Sequence, residues 1–262
     1  MIHTQQAEPR SKGVWVHLRR LLSGEKEGRT IPDGLRVYAI GDVHGCLVQL
    51  NSLLALIAED CANSATRFQI IFLGDYVDRG PDSKGVIDTM LAMREKLNVC
   101  FIRGNHDQVM LDFLEDPALY RNWRDFGGRE TLLSYGVTPP LFDNERVFTE
   151  ARDALRVALP ENHLRFLNEL EYSVEIGGYY FTHAGVRPSV PLDRQMPEDL
   201  MWIRDEFLLS DADFGKIVVH GHSPMEAPVQ RFNRISVDTG AYATGHLSAA
   251  VLEGTTCRFL ST

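Results

Sequence analysis

Gly74-Asp75-Tyr76-Val77-Asp78-Arg79-Gly80 follows the apolar run Phe68–Leu73, which reads as a buried strand of a sheet covered on both faces. A strand that ends in Gly-Asp delivers a carboxylate to the carboxyl edge of its sheet, where open α/β folds place their ligands. Three residues on, Asp78 and Arg79 occupy a turn closed by Gly80-Pro81. Taken alone, the segment also reads as a surface loop whose Asp and Arg pair with each other. Deciding between these readings requires the other strand ends.

Upstream, Leu35–Ile40 is a strand ending in Gly41-Asp42-Val43-His44-Gly45, and Leu47, Leu50, Leu53, Leu54 and Ile57 follow at helical spacing over Cys46–Ala58. Downstream of Gly80, a helix is expected over about Ser83–Lys96. Val99–Ile102 then leads into Arg103-Gly104-Asn105-His106-Asp107 and another helix. Three successive strand–loop–helix units imply an α/β fold with a parallel core. Residues 117–170 differ in texture. Trp123, Leu132, Leu155, Leu159, Leu164 and Leu167 are spaced as in short helices, broken at Gly127-Gly128 and Pro139-Pro140, so this stretch reads as a helical insertion covering one edge of the site. Strands return at Tyr172–Ile176 and Tyr179–Thr182, which flank the hairpin signal Gly177-Gly178. The second of these ends in His183-Ala184-Gly185. Ile217–Val219 ends in His220-Gly221-His222, and Ile235–Val237 ends in Asp238-Thr239-Gly240. His246–Leu252 and Cys257–Leu260 are expected as a closing antiparallel pair.

The chain of 262 residues suffices for one large α/β domain, read here as 31–262, behind a polar tail over 1–30. Within the tail, Val14–Leu22 has the pattern of a short basic amphipathic helix, suited to docking on its own domain or to a membrane surface or partner. A net charge of -9 argues against a nucleic-acid binder. Cys46, Cys61, Cys100 and Cys257 form no CxxC pair and read as reduced thiols. With no run long enough to span a membrane and no signal-peptide core, the expected location is the cytoplasm.

Collected, the strand ends offer Asp42, His44, Asp75, Asp78, Asn105, His106, His183, His220, His222 and Asp238. So many carboxylates and imidazoles at one sheet edge call for a positive charge among them. Ligation by His, Asp and Asn without thiolate suits Mn, Fe or Zn. Asp42 and His44 alternate along the chain, as a chelating pair needs, and a carboxylate from the next strand is placed to bridge to a second metal.

These segments, in this order, resemble the three phosphoesterase signatures of the calcineurin-like metallophosphoesterases. The form Gly74–Gly80 followed by Arg103–Asp107 is similar to the branch containing bacterial serine/threonine protein phosphatases and symmetrical diadenosine tetraphosphatases. His183-Ala184-Gly185 and Gly221-His222-Ser223-Pro224 match the family's two later histidine motifs, so the resemblance covers about residues 35 to 252. It implies a four-layer α/β/β/α sandwich and two divalent ions, Mn2+ first among them. Asp42 and His44 would bind the first metal, Asp75 would bridge, and Asn105, His183 and His222 would complete the second. His106 would be the general acid, oriented by Asp78. Arg79, Arg103 and Arg204 would contact phosphate, with Arg187 behind Arg204 and a structural role as the alternative for Arg103. The implied reaction is in-line attack on phosphorus by a metal-bridging hydroxide, without a phosphoenzyme.

The expected substrate is a phosphoserine or phosphothreonine protein. The alternatives are a symmetrical dinucleoside tetraphosphate and, remotely, an inactive fold used as a binding module. The Gly-His-Ser-Pro match selects His222 as ligand and leaves His220 beside the site or in the core. His163 and His17 read as solvated, and His246 as opening a strand without a motif. Asp238 reads either as a partner of a ligand histidine or as a turn stabiliser. Tyr242 falls where related phosphatases place a tyrosine near the site.

Overall fold

The computed structural model describes residues 29–62 and 66–262. The Val14–Leu22 helix and His17 lie outside them. Strand β1 (Leu35–Ile40) is followed by helix α1 (Leu47–Ala62), β2 (Arg67–Phe72) by α2 (Ser83–Arg94), and β3 (Val99–Phe101) by α3 (Asn105–Glu115). Asp82 caps α2 by accepting the Gly85 N–H at 2.8 Å, which satisfies one of the donors a helix start leaves free. The chain then stays helical through α4 (Tyr120–Trp123), α5 (Gly128–Ser134), α6 (Glu145–Ala158) and α7 (Glu161–Asn168).

Next come β4 (Ser173–Ile176) and β5 (Tyr179–Thr182), helices α8 (Pro197–Trp202) and α9 (Asp205–Leu208), then β6 (Ile217–His220), β7 (Val229–Gln230) and β8 (Arg234–Ser236). Helix α10 (Ala241–Thr244), β9 (Ser248–Glu253) and β10 (Thr256–Ser261) close the chain. The Gly177-Gly178 hairpin is present, with Ile176 opposite Tyr179. Strand β9 begins two residues later than the sequence suggested. His246 lies before it, exposed, its Nδ1 2.5 Å from the Thr262 carbonyl oxygen.

The strands form two sheets, ordered β10-β9-β1-β2-β3 and β4-β5-β6-β8-β7. Each holds three parallel strands: β1, β2 and β3 at one end of the first sheet, with the antiparallel pair β9 and β10 on the β1 side, and β5, β6 and β8 at the centre of the second, flanked by antiparallel β4 and β7. Side chains alternate across a strand, and that alternation assembles the layers. Val37, Ala39, Ile71, Leu73, Ala250 and Leu252 of the first sheet meet Tyr179, Phe181, Ile217, Val219 and Ile235 of the second in a core between the sheets. The intervening Tyr38, Ile40, Ile70 and Phe72 face α1, α2 and α3. Tyr180 and Val218 point to the far side, against Leu200 and Phe207 of α8 and α9. The result is the expected four-layer α/β/β/α sandwich. Among the described residues, no helix is long and apolar enough to cross a membrane.

Candidate active site

All six parallel strands end on one edge of the sandwich. Strands β1, β2 and β3 deliver Asp42 and His44, then Asp75, then Asn105 and His106; β5, β6 and β8 deliver His183, His222 and Asp238. Every one of these side chains is buried. The loops interlock closely. A Cβ on Gly104 would collide with the Asp75 carboxylate, and one on Gly221 with that of Asp42. His44, Asp75, Asp78, Arg79 and His222 adopt positive φ, five of the six non-glycine residues among those described that do. Such strain persists only where the surroundings enforce it, and it concentrates at functional sites.

Hydrogen bonds on the far ring nitrogens fix the histidines. Nδ1 of His44 lies 2.9 Å from the Val77 carbonyl oxygen, and Nδ1 of His183 lies 2.9 Å from that of Leu73. A carbonyl only accepts, so both Nδ1 atoms carry the hydrogen and both Nε2 lone pairs face inward. Burial lowers all three candidate ligand histidines, His44 to about 3 and His222 to about 2. They are therefore neutral, as metal ligands must be.

The inward atoms meet acceptor to acceptor. His183 Nε2 is 2.9 Å from Asn105 Oδ1 and 3.2 Å from His222 Nδ1. Asp75 Oδ2 is 3.4 Å from Nε2 of both His44 and His183. Nε2 of His222 is buried without a partner. Burial, with Asp238 and Asp75 nearby, pushes the Asp42 carboxyl far above its usual range. Asp42 accepts only the His222 backbone N–H and Asp75 Oδ1 only that of His106; imidazole lone pairs and carboxylates converging with so few donors are what divalent cations resolve. Two triads, His44–Asp75–His106 and Asp75–His183–His222, have the spacing of metal-ligand groups and share Asp75.

His106 of the first triad also has its Nδ1 2.7 Å from Asp78 Oδ2. Burial opposes the imidazolium, but the Asp75 and Asp78 carboxylates outweigh it and hold His106 above its ordinary pKa. Its Nε2 faces Arg79 Nη2 at 3.4 Å. Arg79 stacks on Tyr242 with 4.5 Å to the ring centroid, and the Tyr242 ring also meets His44 edge-on at 5.3 Å. Arg204 stands at the exposed rim, Nη1 3.3 Å from the His222 carbonyl oxygen and from Ser223 Oγ.

Arg103 is occupied elsewhere. Its Nη1 donates to Gln108 at 2.6 Å, and its Nη2 to the carbonyls of Leu167 and Asn168 at 2.8 and 3.0 Å. Those contacts tie the end of α7 to the loop after β3, which is the structural alternative. Arg187 is exposed and pairs with Asp199 and Glu206. His220 is buried, with Nε2 2.7 Å from Ser236 Oγ, and Asp238 accepts the Gly240 N–H at 2.8 Å. His163 corrects the expectation of a solvated side chain: it is buried on α7, 3.0 Å from the Tyr135 hydroxyl and 2.9 Å from Asp88 Oδ1.

Sequence reasoning gave no role to Asp107, Trp123 or Thr131. Asp107 is fully buried and accepts the N–H groups of Asp75, Tyr76 and Gly104, each at 2.9 Å, which binds the loops after β2 and β3 together. Its place as the third helical residue after Gly104 is the capping-box spacing, a legible signal. Trp123 and Thr131 reach Asp78 from α4 and α5.

Residues 35–250 match the family model described as calcineurin-like phosphoesterase. The chain belongs to that family. It is a metal-dependent phosphatase. Among its relatives, an asymmetrical bis(5'-nucleosyl)-tetraphosphatase from Anoxybacillus flavithermus is 24% identical over 229 residues, covering 80% of this chain and 87% of the relative. Serine/threonine-protein phosphatase 1 of Salmonella typhimurium is 26% identical over 228 residues, covering 83% and 92%. A solved structure described as a candidate diadenosine tetraphosphatase superposes with a TM-score of 0.60 at 22% identity, covering 86% of this chain and 93% of that one. That likeness concerns the fold.

Proposed function

We propose that this phosphatase hydrolyses phosphoserine and phosphothreonine esters, with Asp42, His44 and Asp75 holding one divalent ion and Asp75, Asn105, His183 and His222 a second. Mn2+ is the first candidate, and Fe or Zn share the donor set. When bound, such ions polarise the phosphoryl group and activate the attacking water.

The observation that carries the substrate reading is the Asp78–His106 pair, 2.7 Å apart, with the imidazole's far nitrogen facing Arg79. Serine and threonine leave as alkoxides, which are poor leaving groups, and a positioned imidazolium contributes about 10²–10⁴ in rate. Asp78 holds Nδ1–H, so that Nε2 carries the proton donated to the leaving oxygen. Arg79 and Arg204 offer planar forks to phosphoryl oxygens. A thiolate route finds no support: burial pushes the Cys46 thiol, beside the first loop, up to about 11.

Dinucleoside tetraphosphates are the second reading. It is favoured by the exposed Phe126, Trp202 and Tyr242, whose rings lie 6.4 Å from His106, 6.5 Å from His222 and 5.3 Å from His44, where a nucleobase can stack. Parallel assays of the Mn-loaded protein on a phosphothreonine peptide and on diadenosine tetraphosphate separate the two. Fast release of nucleotides with no phosphate from the peptide would overturn the first reading.

A further inference from the structure

The Asp78 carboxylate is fully buried, and three donors from three parts of the chain divide its two oxygens. Oδ2 accepts His106 Nδ1 at 2.7 Å and Trp123 Nε1 at 2.8 Å, while Oδ1 accepts the Thr131 hydroxyl at 2.6 Å. Thr131 Oγ1 in turn accepts the Asp78 N–H at 2.8 Å, and Ser83 Oγ lies 3.1 Å from both Asp78 N and Thr131 Oγ1. The same segment reaches the next residue: Arg79 N points at the Gly127 carbonyl at 3.4 Å.

This grip falls where the backbone is least comfortable, with φ at 73° for Asp78 and 67° for Arg79. An Asp carboxylate rotates broadly about its terminal torsion. His106 as the sole donor would leave the plane of the carboxylate loose; donors on both oxygens fix it. The Trp123 ring packs on Phe113 at 4.8 Å without needing its N–H to do so, so the polar end of the side chain is available for Asp78.

We propose that Trp123 and Thr131 are positioning residues for the Asp78–His106 pair, so that the segment from 123 to 131 sets how well the leaving group is protonated. The proposal rests on the reading of His106 as the acid given above. Phe at 123 keeps the ring and removes the donor; Val at 131 keeps the shape and removes the hydroxyl; Ser at 131 restores it.

Trp123→Phe and Thr131→Val should lower kcat on a phosphothreonine peptide about ten-fold or more, with KM unchanged. Dinitrophenyl phosphate, whose leaving group needs no proton, should slow less than about two-fold. Thr131→Ser should stay within about two-fold of wild type on both substrates. Equal losses on the two substrates, no loss on the peptide, or a Ser variant as slow as Val would overturn the proposal.

A second measurement needs no turnover. In metal-free protein the Nδ1–H proton of His106 should resonate far downfield, shift in Trp123→Phe and Thr131→Val, and return in Thr131→Ser. An unshifted resonance in the first two variants would overturn the positioning role. Absence of wild-type hydrolysis of either substrate, with the resonance shifts intact, would instead count against the reading of the reaction.

Discussion

Asp75→Asn tests the bridging role most directly, because the structure says what the new amide would do. Asp75 Oδ1 accepts the His106 N–H at 2.9 Å, a bond that the asparagine oxygen keeps. The other oxygen faces Nε2 of His44 and of His183, each at 3.4 Å and each with its lone pair inward. An NH2 group there becomes a donor to acceptors that otherwise have none. The substitution replaces a cation's work with internal hydrogen bonds, each worth about 1 kcal/mol. Metal-free Asp75→Asn should therefore be at least as stable as metal-free wild type.

Response to metal is where the two should part. A ligand at a hundred times its Kd stabilises the folded state by about 2.7 kcal/mol per site, and a protein of this size gains about 2–4 °C in Tm per kcal/mol. Wild type should therefore rise by about 5–10 °C or more on adding Mn2+, and Asp75→Asn by almost nothing. Thermal melts with and without Mn2+, alongside metal analysis of the purified variant, measure both quantities. Dinuclear occupancy in Asp75→Asn, or a Mn2+-induced rise equal to that of wild type, would refute the bridging assignment.

Asp78→Asn should keep both metals and lose about 10- to 100-fold in kcat on alkyl esters, the difference between a charge-assisted and a neutral hydrogen bond to His106; metal analysis beside the kinetics checks this division. Asp107→Ala strips acceptors from the buried N–H groups of Asp75, Tyr76 and Gly104, and urea unfolding should show a loss of about 3 kcal/mol or more. His220 is held neutral in the fold, its pKa lowered to about 3 by burial, whereas it protonates near 6.5 when unfolded. Acid therefore favours the unfolded chain, and His220 contributes a loss of about 2 kcal/mol between pH 6.5 and 5. His220→Gln should remove that part of the slope in denaturation measured across the range, and an unchanged slope would contradict it.

The candidate metal-site residues, which the fold gathers at one sheet edge, were legible because each belongs to a short local pattern, an apolar run that ends in a polar side chain beside glycine. The four layers followed from the family resemblance, since continuous apolar runs such as Phe68–Leu73 do not by themselves say which face of a strand meets which layer. What escaped depends on distant contacts. Trp123 and Thr131 lie 45 and 53 residues beyond Asp78, and nothing near them in sequence shows that their polar atoms turn to one carboxylate. His163 read as a solvated helical residue because its burial is decided by Tyr135 and by Asp88, 75 residues away. Arg103 stood in a phosphate-contact motif, yet the carbonyls at the end of α7 claim it, a competition invisible until α7 is in place. Asp107 alone carried a local signal, its helix-start spacing.

Division of the candidate ligands between the two sheets has a consequence for how the protein comes into being. Asp42, His44, Asp75 and Asn105 hang from one sheet, His183 and His222 from the other, and only the apolar seam between the sheets brings them within reach. Neither half carries the whole candidate set. During refolding, hydrolysis cannot return before that seam has closed, so recovered activity is a late clock for the docking of the two layers. Secondary structure and metal-free collapse can run ahead of it.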